Sequence, residues 1–128
     1  MKTLTLEGKI ATGEGNGKKY LQLPWVKQQL EEKLGFTPFL GTLNLELSRQ
    51  SVKRKRKLPK AKTIMICPPK GYCVGLFFKA SIGGLECVVV LPQIEGYAED
   101  LLEVIAPVNL REALKLGDGD TAKVNVYI

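Results

Sequence analysis

The stretch "TGEGNGKKY", residues 12–20, places Gly13, Gly15 and Gly17 at alternate positions and follows them with Lys18 and Lys19. Each glycine loses more conformational freedom on folding than any other residue, so three in a row of alternate positions is a costly choice. What the absence of side chains allows is close backbone approach. Successive N–H groups can reach a phosphate with no Cβ in the way, and the two lysines add positive charge. Neither the P-loop pattern GxxxxGK[ST] nor the dinucleotide pattern GxGxxG is met. On residues alone, a flexible turn between two strands stays open as the alternative.

Two further stretches carry polar groups in apolar settings. In "GTLNLEL", residues 41–47, a period of two puts Leu43, Leu45 and Leu47 on one strand face and Thr42, Asn44 and Glu46 on the other. Thr42 and Asn44 offer neutral oxygens a few ångströms apart. They are weak ligands for Mg²⁺ alone, but suitable where substrate phosphates complete the coordination. The alternative is a half-buried strand with a polar outer face. In "LLEVIAP", Glu103 is a carboxylate among apolar residues; it must be paired, face solvent or have a use. Arg111 stands in the first turn of an expected helix, where a cation is not favoured. It either has another partner or is simply an exposed helix former.

Composition narrows the chemistry. The chain has 128 residues and no histidine, which removes Ser-His-Asp and Cys-His nucleophile schemes and most zinc sites. Cys67, Cys73 and Cys87 are odd in number, form no CxxC and sit in apolar runs, so they read as buried small side chains. The length suits one domain, 1–128, with a single sizeable core. No apolar run approaches the roughly 18 residues of a membrane span, and the N-terminus lacks the apolar core of a signal peptide. A soluble cytoplasmic monomer is expected. The net charge is +6, and residues 53–62, "KRKRKLPKAK", hold seven basic and no acidic side chains; the remainder is near neutral. That run reads as a solvated loop that steers anions.

The elements needed to position these groups are mostly strands. "TLTLEGKI" leads into the glycine stretch, and "YLQL" follows it. Pro24 opens a helix over "PWVKQQLEEKLG" with Val26, Leu30 and Leu34 at helical spacing and Gly35 as the stop. "KTIMICPP", "YCVGLFFKASI" and "LECVVVLP" read as buried strands, the last two joined by a two-residue hairpin at Gly83-Gly84. "NLREALKLGDGD" reads as a short helix with Asn109 as N-cap, Glu112 completing a capping box and Gly117 as the end. "TAKVNVYI" closes the chain as a strand. Six to eight strands with two short helices point to a barrel or sandwich rather than a βαβ sheet.

Taken together, "GEGNGKKY", "LGFTPFLGTLNLEL", the hairpin ending "VVVLP", and "EVIAPVNLREALKLGDGD" resemble the archaeal CTP-dependent riboflavin kinase family, over about residues 7–126. The resemblance implies a mainly β fold, a six-stranded cradle-loop β-barrel with short helices. It implies transfer of the γ-phosphate of CTP to the 5′-hydroxyl of riboflavin, giving FMN and CDP, with Mg²⁺ as cofactor. Carried over by motif, Gly13, Glu14, Gly15, Asn16, Gly17 and Lys18 would hold the nucleotide phosphates. Thr42 and Asn44 would bind the metal. Val108, Asn109, Leu110 and Arg111 would contact the nucleotide, and Glu103 would face the flavin's ribityl chain as the catalytic group. Glu95 stands where the family often has a flavin-contacting threonine, and the basic run is unusually charged for its position. Two rival readings remain at this level. One is a nucleic-acid-binding barrel using residues 53–62, disfavoured because no aromatic lies between residues 40 and 71 to stack on bases. The other is a flavin-binding barrel without kinase activity.

Overall fold

In the computed structural model, residues 2–11, 23–39, 42–58, 64–66, 75–92 and 98–128 are described. The glycine stretch 12–20, "YLQL" up to Gln22, Cys67, Cys73 and Glu95 lie outside them.

Alternating inward and outward side chains set the strands. In β1 (Thr3–Ala11), Leu6, Gly8 and Ile10 are buried, and in β7 (Thr121–Tyr127) so are Ala122, Val124 and Val126. β2 (Leu43–Leu47) and β6 (Leu101–Ile105) add Leu43, Leu45, Leu47, Leu102 and Val104 to the same core. β4 (Gly75–Ile82) and β5 (Leu85–Pro92) contribute Phe78, Ala80, Ile82, Cys87 and Val89. All pairings are antiparallel. The order β4-β5-β6-β2-β1-β7 closes on itself through Ala80↔Val126, Ser81↔Asn125 and Ile82↔Val124. The result is the expected six-stranded barrel, closed by the β4–β7 pairing. β3 (Ile64–Ile66) is a seventh strand outside the ring. It pairs with Gly75–Phe77, the part of the β4 edge that β7 does not reach.

The β4–β5 hairpin turns at Gly83 and Gly84, both with positive φ (56° and 81°), as a two-residue primed turn requires. α1 (Pro24–Leu34) starts on its proline and ends on Gly35 at φ 77°. Its Val26 and Leu30 are fully buried on the outer barrel face against Phe77, Val88, Val90 and Ile105. Burial of each such side chain contributes about 1.5–3 kcal/mol.

One expectation is corrected here. The basic run does not begin as a loop: α2 (Arg49–Lys55) is a helix, capped by Ser48 Oγ accepting from Ser51 N at 3.2 Å. There are therefore three helices among the described residues rather than two. α2 occupies the edge of β1 beyond the end of β2. Ser48 N donates to Glu7 O, Glu7 N donates to Ser51 Oγ at 2.8 Å, and Arg54 donates to Thr5 O at 3.3 Å. Lys55 donates to Glu99 O and Leu101 O, and Arg56 pairs with Glu99. Burial holds the Lys55 ammonium below the ordinary lysine range, with Glu99 and Asp100 opposing that shift. The Arg56 hydrogen bond holds the Glu99 carboxyl below its usual value. That pair's contribution is present above the ordinary carboxylate range and is lost as pH falls through the lowered value. Backbone groups that the strands leave unpaired are thus satisfied by basic side chains, a use that charge counting does not reveal.

A prediction follows from this packing. Arg54→Ala and Lys55→Ala each lower the unfolding free energy by about 1 kcal/mol, seen as a lower urea midpoint at unchanged m-value. Lys53→Ala, at an exposed position, stays within about 0.5 kcal/mol of the parent. Equal effects at all three positions would contradict the assignment. A second prediction concerns Gly8. A Cβ there meets Glu46 O at 2.6 Å and Leu47 Cα at 3.1 Å, backbone atoms fixed by the Gly8↔Leu47 pairing. Gly8→Ala therefore destabilises by about 1–3 kcal/mol despite alanine's better intrinsic propensity, measured in the same titration.

Candidate active site

The outer barrel face changes character along one row of cross-strand partners. Asn44 opposes Glu103, Glu103 also opposes Val90, and Val90 opposes Phe77. α1 covers the apolar end of this row. The polar end carries Asn44 and Glu103, with Thr42 just before β2. Leu43, Leu45 and Leu47 on one side and Leu102 and Val104 on the other hold both strands in register from the barrel interior. A one-residue slip would turn Asn44 and Glu103 into the core, which makes their juxtaposition a strict consequence of the leucine pattern.

The three side chains meet at Thr42. Its Oγ1 lies 3.4 Å from Asn44 Oδ1 and 3.4 Å from Glu103 Oε1, and Asn44 Nδ2 is 3.5 Å from Thr42 O. All three contacts are long for hydrogen bonds, and one hydroxyl proton cannot serve two acceptors well. Asn44 is nevertheless buried, at 9% exposure. A buried amide with only long contacts is the kind of group whose partner is expected from outside the chain. The donor set is entirely hard oxygen, which suits a small divalent cation and not a soft one. No group of three or more His, Cys, Asp or Glu that could hold a metal occurs among the described residues. Among the described residues that meet at Thr42, Glu103 is the one carboxylate.

Thr42 also lines a cleft of about 150 Å³ together with Phe39, Ala106, Val108, Asn109 and Arg111. α3 (Leu110–Leu114) starts there, with Asn109 Oδ1 accepting from Glu112 N at 3.3 Å as expected. Its end differs from expectation. The left-handed residue is Lys115 at φ 54°, and Gly117 instead sits in a turn where its N–H donates to Asp120 Oδ2. Of the four residues assigned to nucleotide contact, Val108 is exposed, Asn109 is engaged as the cap, and the Leu110 side chain is buried in the barrel core. Only the backbone of Leu110 is left to face a ligand.

Arg111 has the partners that its awkward helix position suggests. One guanidinium nitrogen donates to Ala11 O at 3.2 Å and to Asp118 Oδ1 at 2.7 Å. Ala11 is the last residue of β1, immediately before the glycine stretch. Gly119 N and Asp120 O pair with Ile10 beside it. Arg111 therefore ties the 108–111 segment to the root of the glycine stretch. Asp118 and Phe39 were missed from sequence. "GDGD" reads as the end of the short-helix stretch and "TPFLG" as part of a motif, and nothing in either marks one side chain as a contact. Cys87 is buried with its thiol pushed up to about 12 by burial, then by Glu86, and plays no part here.

A family model for CTP-dependent riboflavin kinases, described as a domain of unknown function (DUF120), matches residues 10–126. The chain belongs to this family. It is similar to the riboflavin kinase of Ignicoccus hospitalis, 40% identical over 130 residues that cover 98% of this chain and 73% of the relative. It is also similar to the riboflavin kinases of Pyrobaculum aerophilum (40% identical, 98% of this chain, 62% of the relative) and Methanosarcina barkeri (39%, 96% and 56%). The chain thus spans between 56% and 73% of the length of these three relatives. In this member of the CTP-dependent riboflavin kinase family, every candidate site residue lies inside the matched span. Among the described residues no helix is long and apolar enough to cross a membrane.

Proposed function

We propose that residues 1–128 act as one catalytic domain that transfers the γ-phosphate of CTP to the 5′-hydroxyl of riboflavin, with Mg²⁺ as the cation. The observation that carries this reading is the meeting of Thr42, Asn44 and Glu103 beside the cleft that Arg111 lines, in a chain of this family. The glycine stretch from Gly13 to Lys18 would wrap the phosphates from one side, and the backbone of Val108 to Arg111 would hold the nucleoside from the other. Glu95 would lie near the flavin.

Phosphoryl transfer through a loose transition state asks a protein for alignment and charge neutralisation more than for covalent chemistry, so a chain without histidine is sufficient. The riboflavin oxygen forms the new bond to the γ-phosphorus as the bridging bond to the β-phosphate breaks, and CDP leaves with that electron pair. Glu103 orients the hydroxyl and takes its proton. Thr42 and Asn44 would hold the cation, which would supply positive charge to offset that developing on the transferred phosphoryl group. Arg111, held at Ala11 and Asp118, fixes the two nucleotide-contacting segments relative to one another.

The test incubates the protein with riboflavin, Mg²⁺ and each of the four nucleoside triphosphates in turn and separates flavins by chromatography. FMN is expected with CTP above the other three. Equal yields would remove the donor assignment, and no FMN with any donor would leave a binding protein.

A further inference from the structure

We propose that Glu103 is itself a ligand of the cation, the third protein oxygen beside Thr42 and Asn44. This deepens the proposed function, on which it rests for the presence of a cation. Thr42 Oγ1 stands 3.4 Å from an oxygen of each of the other two side chains. Two oxygens bound at right angles to one Mg²⁺, each at about 2.0–2.1 Å, are about 2.9 Å apart. The observed spacings need to close by only about half an ångström to share one ion. Asn44 and Glu103 are direct cross-strand partners on the same face, so both reach this point from a rigid sheet and not from loops.

Charge favours the same conclusion. A hydroxyl and an amide oxygen are neutral, and a cation held by them alone relies wholly on the nucleotide for neutralisation. Glu103 supplies the only formal negative charge in the trio. A carboxylate has two oxygens, so one bonds the cation while the other accepts from the riboflavin hydroxyl. The two roles place metal and nucleophile on one group.

Manganese binding in the presence of saturating CDP, followed by loss of the free-ion electron paramagnetic resonance signal, separates this role from that of a base. Glu103→Gln is expected to raise the Mn²⁺ Kd by roughly 10- to 100-fold, the scale seen when groups supporting a metal site are removed. Glu103→Asp, which keeps the charge but withdraws it by one methylene, raises it by a smaller factor. Glu86→Gln, the same charge change at an exposed position on β5, leaves it unchanged. Wild-type affinity in Glu103→Gln overturns the inference, as does wild-type affinity in Glu103→Asp should the Gln variant not fold. An equal shift in Glu86→Gln, or no Mn²⁺ binding by the parent, also overturns it. FMN formation with unchanged Mn²⁺ affinity in Glu103→Gln leaves the kinase reading standing and this inference refuted. Metal loss in a protein that makes no FMN does the reverse.

Discussion

Single-turnover FMN formation at saturating CTP, riboflavin and Mg²⁺ is expected to fall by roughly 10²-fold or more in Glu103→Gln, the usual scale of general acid–base help. The substitution keeps the size of the side chain and removes its charge. Glu103 sits in β6 with its neighbours Leu102 and Val104 turned into the core, so the strand's packing is unaltered and the melting temperature should barely move. Saturating metal in the assay keeps the site filled and isolates the role of the carboxylate toward the hydroxyl. A variant within a few-fold of the parent under these conditions would take Glu103 out of proton transfer.

The second large effect is expected at Thr42 and Asn44. Thr42→Val is close to isosteric and deletes the oxygen at which the other two meet. Turnover at low Mg²⁺ should drop by roughly 10- to 100-fold, with partial recovery as the metal concentration rises. Asn44→Leu should lose activity similarly but hold or raise stability. A buried amide with contacts no shorter than 3.4 Å contributes little to folding, and replacing it by an apolar group can be neutral or stabilising. Loss of activity with retained stability is the signature of a residue kept for function. If both variants match the parent at low Mg²⁺, this strand is an ordinary polar face.

The strands and the polar face of β2 are legible because their signals are periodic, which leaves barrel or sandwich open; the six-stranded barrel is what the family resemblance implies. Alternating leucines in "GTLNLEL" dictate which side of β2 carries Thr42 and Asn44, and the Gly83-Gly84 turn dictates the β4–β5 hairpin. The pairing of Asn44 with Glu103 was not legible. It joins residues 59 apart in sequence, and strand order is a property of closure that no local pattern encodes. The same holds for Arg111: its unfavoured place in a helix first turn flagged it, but Ala11 and Asp118 could not be named. The basic run differs from its expected loop for another reason. Charge composition suggested solvent, whereas Ser48 and Ser51, which anchor α2 on β1, lie before the run and are individually unremarkable. The long lysine and arginine side chains reach backbone carbonyls from a helix while their charged ends stay partly wet.

The most direct test of the account is the fate of a labelled γ-phosphate. The protein is incubated with riboflavin and CTP carrying ³²P at the γ position, and FMN, CDP and free phosphate are separated over time. The account predicts label in FMN, one equivalent for each CDP formed, abolished by chelation of the divalent cation and restored by adding Mg²⁺ back. Label released as inorganic phosphate with riboflavin unchanged, or FMN formation indifferent to chelation, would contradict it.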